Sequence, residues 1–199
     1  IKHFVFISVL LFGSTLFSSD KVSNEKYINV LSEVENILEE NHFKKNVTIS
    51  SYQIKEKFLN SIDSQKMVFT LSNFNELSKQ TNFKKEDQVE FAFEVFKKFK
   101  EKSINYFEIQ KEAILNITSE NQLETQHFIF KDREDENRFD NEDQLIEYQI
   151  KEAKSELISI LLKEKDLSKS KEKLLKRLVN REKSLNRISN DDIFSMFVN

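Results

Sequence analysis

The segment KEDQVEFAFEVFKKFKEKSINYFEIQKEAILNI, residues 85–117, decides the fold class because its apolar residues recur every three or four positions. One helical stripe holds Val89, Ala92, Phe93, Phe96, Phe99, Ser103, Phe107, Ile114 and Ile117. The pattern predicts one long amphipathic helix, and thirty helical residues span about 45 Å. A compact domain of 199 residues does not need such a length, so we expect this helix to project or to form a wall.

The composition of the whole chain also favours an all-α fold. The 199 residues include 19 Phe and no Pro, and the single Gly stands at position 13. Hairpin turns, phosphate-binding loops and nucleophile elbows normally use glycine, because glycine adopts positive φ without strain. A chain almost without glycine is therefore a poor candidate for β-hairpins or for those sites, and we expect a helical domain.

Further helices are predicted on both sides of this segment. Upstream, one helix ends near Asn41 with an inner stripe of Tyr27, Val30, Leu31, Val34, Ile37 and Leu38. Ser50 and Gln53 form a capping-box pattern that predicts the start of a second helix, which Asp63 ends. A short helix can start at Ser72 after the apolar turn at residues 67–69.

The downstream part predicts three more helices after a candidate hinge at residues 118–143. The first runs from Leu145 to about Glu164 and buries Ile146, Ile150, Ala153, Leu157, Ile160 and Leu161. The second covers residues 168–188 and buries Leu174, Leu175, Leu178, Leu185 and Ile188. Ser189, with Asp192 three residues later, begins a last helix in which the chain stops. We expect this domain to be truncated at its C-terminal end.

The first 19 residues differ from the rest of the chain. Lys2 precedes the apolar run at residues 4–12, and small residues follow from Gly13 to Ser19. The run is too short for a membrane-spanning helix, and its flanks fit a secretory signal peptide. We therefore predict a signal peptide at residues 1–19 and an exported domain at residues 20–199.

The search for catalytic or metal-binding residues finds no credible set. The histidines are His3, His42 and His127, and neither of the last two has a second ligand at helical spacing. Without cysteine, the chain has no thiolate nucleophile and no thiolate zinc site. Carboxylate pairs such as Asp191 and Asp192 are expected on helix surfaces and caps. We predict no catalytic residues, no metal site and no cofactor.

Two charge clusters allow a functional and a structural interpretation. Residues 169–187 carry eight Lys or Arg against two Glu, whereas residues 132–143 carry seven acids against two Arg. A basic helix can bind nucleic acid or anionic lipid. No aromatic residues interleave the basic positions, and export removes most nucleic acid. We therefore favour a solvated face that pairs loosely with the acidic cluster or a partner domain, and expect no nucleic-acid partner.

Four segments of the chain share their order and spacing with one known family. They are FLNSIDSQKMVFTLSNF (58–74), FAFEVF (91–96), Asp132-Arg133 followed by NEDQL (141–145), and RLVNR (177–181) followed by RISNDDIFSMF (187–197). They resemble the N-terminal domain of bacterial tail-specific proteases, also called carboxyl-terminal-processing peptidases, over residues 42–199. The family's Trp-Pro pair after Asp-Arg is missing here, and Asn73 stands where the family has Asp.

The resemblance implies a periplasmic, non-catalytic helical domain of a Gram-negative bacterium. In this family a PDZ domain that captures a substrate's C-terminal carboxylate follows, and then a peptidase domain with a Ser/Lys dyad. Both use backbone sites of a kind that glycine provides, so we expect neither within this chain. The implied roles are to scaffold the enclosure around the PDZ and peptidase core and to contact unfolded protein substrates or a helical-repeat lipoprotein adaptor.

A second stripe on the long helix is the expected interaction face. Phe91, Val95, Tyr106 and Ile109 fall off the main stripe. Exposed apolar side chains on a rigid helix can meet unfolded polypeptide or another domain. We expect these four side chains to be exposed and to contact a partner.

Two other functions stay open. The chain can be a freestanding periplasmic binding or chaperone-like helical domain without a peptidase. The coding sequence beyond Asn199 would distinguish this protein from the N-terminal domain of a protease. The chain can also be a nucleic-acid-binding protein that uses residues 169–187, provided that the N-terminal segment does not direct export.

Overall fold

The computed structural model describes residues 19–41, 50–79, 83–124 and 128–199, and these contain seven α-helices and no strand. The helices are α1 (Ser19–Asn41), α2 (Ser51–Ile62), α3 (Leu71–Leu77), α4 (Lys85–Leu115), α5 (Glu142–Glu164), α6 (Leu167–Asn186) and α7 (Asn190–Val198). A short 3-10 helix at Glu120–Leu123 lies between α4 and α5. The predicted all-α fold is confirmed. None of the helices in these ranges combines the length and apolar character that crossing a bilayer demands.

Several sequence predictions lie outside the described residues. They concern the signal peptide, of which only Ser19 is described, and His3, His42 and His127. The signal peptide therefore stays a prediction, and the structure says nothing about the environment of the three imidazoles.

Serine caps set the starts of two helices. The Ser50 hydroxyl accepts a hydrogen bond from the Gln53 N–H at 3.2 Å, and Gln53 Oε1 accepts one from the Ser50 N–H at 2.9 Å. Ser189 and Asp192 form the same reciprocal pair at the start of α7. Such caps satisfy backbone donors that a helix leaves unpaired, and each contributes about 1 kcal/mol. The predicted helix starts at Ser50 and Ser189 are confirmed.

The long helix α4 lies at the centre of the fold. Helices α1, α2 and α7 pack against its N-terminal half, and α5 and α6 pack against its C-terminal half. Its 31 residues form the predicted long element almost residue for residue. The expectation that α4 would project or form a wall is wrong, because other helices pack against α4 along most of its length.

The N-terminal half of α4 carries two apolar clusters. In the first, Ala92, Val95 and Phe96 pack with side chains from α2, α3, α6 and α7 and from the loop before α3: Phe58, Leu59, Phe69, Phe74, Leu185 and Ile193. In the second, Val89 packs with Tyr27, Leu31 and Phe194, which joins α1 to α4 and α7. A buried Phe or Leu side chain contributes about 1.5–3 kcal/mol, so these contacts hold the six helices together.

A third cluster covers the C-terminal half of α4. Ile114 and Ile117 pack with Leu123, Ala153, Leu157, Ile160, Leu174 and Leu178. Half-buried Phe107 packs against this cluster and also against the first one. Helix α4 therefore contributes to the apolar clusters at both ends of the fold, and α6 also contributes to both.

The inner stripe of α1 is narrower than predicted. Tyr27 and Leu31 are buried, whereas Val30 and Ile37 are 37% and 59% exposed. Helix α1 lies at the edge of the fold, where it packs on α4, so only a thin strip of its surface is covered. The predicted burial of Val30 and Ile37 is wrong.

The buried face of α5 differs from the prediction at the N-terminal end of the helix, whereas Ala153, Leu157 and Ile160 are buried as predicted. Ile146 and Ile150 are only half-buried, and Leu145 and Gln149 take the inner positions. Gln149 is buried because its side-chain amide donates to the Met67 carbonyl oxygen at 2.8 Å. Hydrophobic spacing cannot reveal this contact, because the inner residue is polar.

Two lysines adopt the left-handed conformation that glycine usually takes. Lys66 has φ of 56° and Lys165 has φ of 52°. Lys165 is the C-cap of α5. Each position costs roughly 1–2 kcal/mol for a residue with a Cβ atom. A chain nearly free of glycine therefore still forms tight turns, at a cost that the surrounding packing offsets.

Helix α1 is fastened to α7 by a polar contact at the protein surface. The Tyr27 hydroxyl donates to Asp191 Oδ1 at 2.7 Å, and Lys26 Nζ donates to the same oxygen at 2.9 Å. These bonds, that of Tyr27 first, lower the pKa of Asp191 below its ordinary value. Burial and the bond to Asp191 raise the pKa of Tyr27 to about 12.

Acidification is expected to weaken this contact. The folded-state pKa of Asp191 lies below the ordinary value of 3.8. Its contribution to stability is therefore fully present above the unfolded pKa and is lost as the pH falls through the folded pKa.

In a Tyr27→Phe variant the Asp191 pKa should rise, whereas Tyr52→Phe, which removes a hydroxyl near Glu56, should leave the Asp191 pKa unchanged. NMR titration of the Asp191 carboxyl measures both values, and equal pKa values in the two variants would contradict the assigned hydrogen bond.

Candidate functional site

Carboxylates in the described ranges serve caps and helix contacts. No group of three or more His, Asp or Glu side chains there lies close enough together to hold a metal ion. Asp192 caps α7, and Asp191 binds Tyr27 and Lys26. The interpretation of this acidic pair as a surface and capping feature is confirmed.

The strongest buried electrostatic feature joins α2 to the segment before α5. Arg138 Nη1 lies 2.5 Å from Asp63 Oδ2, and the two side chains are 5% and 2% exposed. Arg138 also donates to Asn60 Oδ1 at 3.0 Å and to the Phe69 carbonyl oxygen at 3.3 Å. We call Asp63, Arg138 and these partners the Asp63 junction.

Asp63 also organises the turn that follows α2. Its carboxylate accepts hydrogen bonds from the backbone N–H groups of Met67, Val68 and Phe69 at 2.9, 3.2 and 3.1 Å. Burial raises the pKa of Asp63 and is the largest influence on it, while the Arg138 guanidinium and the backbone N–H groups act to lower it. The carboxylate thus closes the predicted apolar turn at residues 67–69 and also ends α2.

The acidic cluster at residues 132–143 is anchored through its arginines. Arg133 is buried against the rings of Phe139 and Tyr148, with its guanidinium carbon 4.3 and 4.6 Å from their centroids. The Leu71 N–H donates to the Phe139 carbonyl oxygen at 2.8 Å, which ties the start of α3 to the same segment. These contacts hold residues 133–139 against α3 and α5, and the hinge predicted at residues 118–143 stays a prediction.

An open groove lies where α4, α5 and α6 meet, with a volume of about 790 Å³. We call it the α6 groove, and it is lined by Phe107, Glu156, Arg177, Asn180, Arg181, Ser184, Leu185 and Ile188. Most of these residues come from one face of α6, at helical spacing. The apolar side chains are half-buried or buried, whereas Arg177 and Arg181 reach solvent.

One carboxylate holds both arginines of the α6 groove. Arg181 binds Glu156 through two nitrogens, at 3.0 and 3.1 Å, and Arg177 binds the same carboxylate at 3.2 Å. Bidentate pairing of this kind fixes the guanidinium plane. The side chains of Arg177 and Arg181 are nevertheless 49% and 45% exposed, so they stay accessible to a partner.

The basic cluster of α6 pairs with its neighbour α5. Besides the arginines on Glu156, Lys173 lies 2.6 Å from Glu164. Lys171 donates to the carbonyl oxygens of Leu115 and Ile117 at the end of α4. These contacts of the basic face are with α4 and α5, and none of them is the expected pairing with residues 132–143.

The predicted interaction face is covered at its N-terminal end. Val95 is 2% exposed in the first apolar cluster, so its expected exposure is wrong. Phe91 packs edge-on against Phe58 and Phe83, with ring centroids 6.2 and 5.4 Å apart. Because α4 is central, its second stripe meets α2 and the loop before α4 instead of solvent.

The C-terminal end of the same stripe meets α5. Tyr106 is half-buried and its hydroxyl donates to Glu152, to which the Gln110 amide also donates at 3.1 Å. Burial raises the pKa of Tyr106, and the nearby Glu152 charge raises it further. Ile109 is half-buried. A role of the four predicted residues in binding a partner stays a prediction. Their side chains expose little surface to solvent.

Comparison with known families identifies the family to which the chain belongs. The family model described as the tail specific protease N-terminal domain matches residues 34–199, most of the chain. The chain belongs to this family. The predicted resemblance is confirmed over the region in which it was expected. Comparison with curated proteins gives no match.

The Asp63 junction connects two of the segments that resemble the tail-specific protease N-terminal domain family. These are residues 58–74 and the segment around residues 132–145. Asn73 keeps the capping role that an acid would have, because its Oδ1 accepts the Thr70 N–H at 3.3 Å. With Thr70 as its cap, α3 starts at Leu71, one residue before the predicted position.

Two features of this family member were not found from its sequence. Arg138 lies inside an acidic run, and its burial against Asp63 was hidden by their separation of 75 positions in the sequence. The α6 groove was also missed, because its lining combines three helices. A signal existed in both cases: an arginine within a run of acids, and a basic face that also carries Leu185 and Ile188.

Proposed function

We propose that this chain is the non-catalytic N-terminal helical domain of a periplasmic tail-specific serine protease, an enzyme that processes or degrades proteins from their C-termini. The observation that carries the proposal is the family match over residues 34–199. The predicted signal peptide and the scarcity of glycine, which peptidase and PDZ backbone sites use, support the periplasmic and non-catalytic parts.

The proposed role is to scaffold the enclosure around the PDZ and peptidase core. A central 31-residue helix with apolar clusters along both halves makes the whole domain stiff, which suits a structural support. The domain would contact the PDZ and peptidase domains of the same protein, unfolded substrates and a helical-repeat lipoprotein adaptor. The exposed arginines of the α6 groove support a binding role for this surface.

Export is tested by fusing an alkaline phosphatase reporter, which is active only outside the cytoplasm, to the C-terminus of the chain. We expect reporter activity from the whole chain and none after deletion of residues 1–19. Equal activity from both fusions, or activity from neither, would contradict a signal peptide at this position.

The non-catalytic part of the proposal is tested on the purified chain and on a chimera. The chain alone should not cleave a reporter protein that carries an unfolded C-terminal tail. A family protease whose own N-terminal domain is replaced by residues 34–199 should degrade that reporter. Cleavage by the chain alone would refute the non-catalytic role, and a folded chimera that cleaves small peptides but not the reporter would refute the scaffold role.

A further inference from the structure

The α6 groove combines an apolar floor with a rim of guanidinium groups. Leu185 is 9% exposed, and Phe107 and Ile188 are half-buried beside it. Arg177 and Arg181 stand at the edge with nearly half of each side chain in solvent. A peptide that placed an aliphatic side chain on this floor would bring its neighbouring residues close to the Arg177 and Arg181 guanidinium groups.

The charges that line the groove do not balance. Two guanidinium groups share the single carboxylate of Glu156, and the other five lining residues are uncharged. Arg177 uses one nitrogen for this pair, although a guanidinium carries five N–H donors. One positive charge and several donors are therefore left for an anionic group.

The surroundings of the groove extend this positive field. Helix α6 carries only two acids between residues 169 and 187, Glu172 and Glu182. Glu182 is paired with Lys111 of α4 at 2.7 Å, and Lys111 also pairs with Glu108 at 2.7 Å. Nearby positive charge raises the association rate of an acidic partner and selects against a basic one.

We propose that the α6 groove binds an acidic polypeptide segment. An aliphatic side chain of that segment lies against Phe107, Leu185 and Ile188, and its carboxylates bind Arg177 and Arg181. The proposal rests on the lining of the groove and on charge complementarity. It specifies a partner chemistry that membership in the family does not, and it does not depend on the proposed function.

The groove chemistry favours a peptide over a nucleic acid. Single-stranded nucleic acid needs exposed aromatic platforms on which its bases stack. The one aromatic residue that lines the groove, Phe107, packs against two apolar clusters of the domain. The rest of the floor is aliphatic, which suits a Leu or Ile side chain.

Fluorescence anisotropy with labelled synthetic peptides tests the proposal on the purified chain. The probe is a short peptide with Leu residues flanked by Glu, and its two comparison peptides carry Lys for Glu or Ser for Leu. We expect binding of the Glu-Leu peptide and a loss of at least about tenfold in affinity for either comparison peptide, as expected from losing an ion pair or a buried Leu. An oligonucleotide that binds as tightly as the peptide, or equal binding of the Ser peptide, would overturn the proposal.

Charge variants locate the binding surface. Arg177→Glu with Arg181→Glu should abolish binding of the Glu-Leu peptide, and the milder Arg177→Gln with Arg181→Gln should weaken it at least about tenfold. Lys176→Glu with Lys183→Glu makes the same change in net charge on exposed positions of α6 outside the groove lining, and should have a much smaller effect. Circular dichroism checks that each variant stays helical.

A Glu156→Gln variant provides the most specific measurement. It removes the carboxylate that competes for both arginines, so affinity for the Glu-Leu peptide should rise. If the two arginines had only a structural role, the affinity for the Glu-Leu peptide would not rise. Unchanged or weaker binding by this variant, or equal losses in the groove and control charge variants, would refute the proposed site.

Discussion

Replacing Arg138 with alanine is expected to lower the free energy of unfolding by about 3–5 kcal/mol. The substitution leaves the Asp63 carboxylate buried without its cation, since both side chains are almost fully excluded from water. It also removes the donors to Asn60 and to the Phe69 carbonyl oxygen. Urea denaturation followed by far-ultraviolet circular dichroism measures the effect.

Two further variants separate the ion pair from a general effect of losing an arginine. Arg187→Ala removes an exposed arginine at the end of α6 and should change stability by less than about 0.5 kcal/mol. Asp63→Asn removes the charge but keeps one acceptor oxygen for the turn, so we expect a loss smaller than that of Asp63→Ala. If Arg138→Ala costs no more than Arg187→Ala, the buried pair does not stabilise the fold.

Replacing Leu157 with alanine is expected to lower the free energy of unfolding by about 2–5 kcal/mol. Leu157 is fully buried in the cluster that joins α4, α5 and α6. The substitution loses the transfer free energy of the removed methyl groups and leaves a cavity that rigid helices fill poorly. The same urea denaturation measures this loss.

Leu162→Ala is the matched control on the same helix. Leu162 is 75% exposed, so its truncation should change stability by less than about 0.5 kcal/mol. Similar losses for the two leucines would mean that α5 does not pack on α4 through the face described above.

Local signals in the sequence were sufficient to predict the helices themselves. Ser50 and Ser189 carry capping partners three residues later, and such pairs act within one turn of a helix. The long apolar stripe of α4 likewise follows from side chains a few residues apart. These elements were predicted because their causes are short-range.

The arrangement of helices around α4 could not be predicted in the same way. An apolar second stripe indicates that something covers it, and spacing alone does not say whether the cover is another protein or the same chain. Val95 was expected to face a partner and instead faces the core of its own domain. The α6 groove was missed for the related reason that Phe107 and Glu156 reach it from other helices.

The separation of Asp63 from Arg138 along the chain has a consequence for the order of synthesis. Arg138 is synthesised 75 positions after Asp63. During that interval the turn after α2 holds a negative charge that cannot be taken out of water at low cost. The Asp63 junction therefore cannot form before Arg138 has been synthesised, and until then the Asp63 carboxylate stays in water.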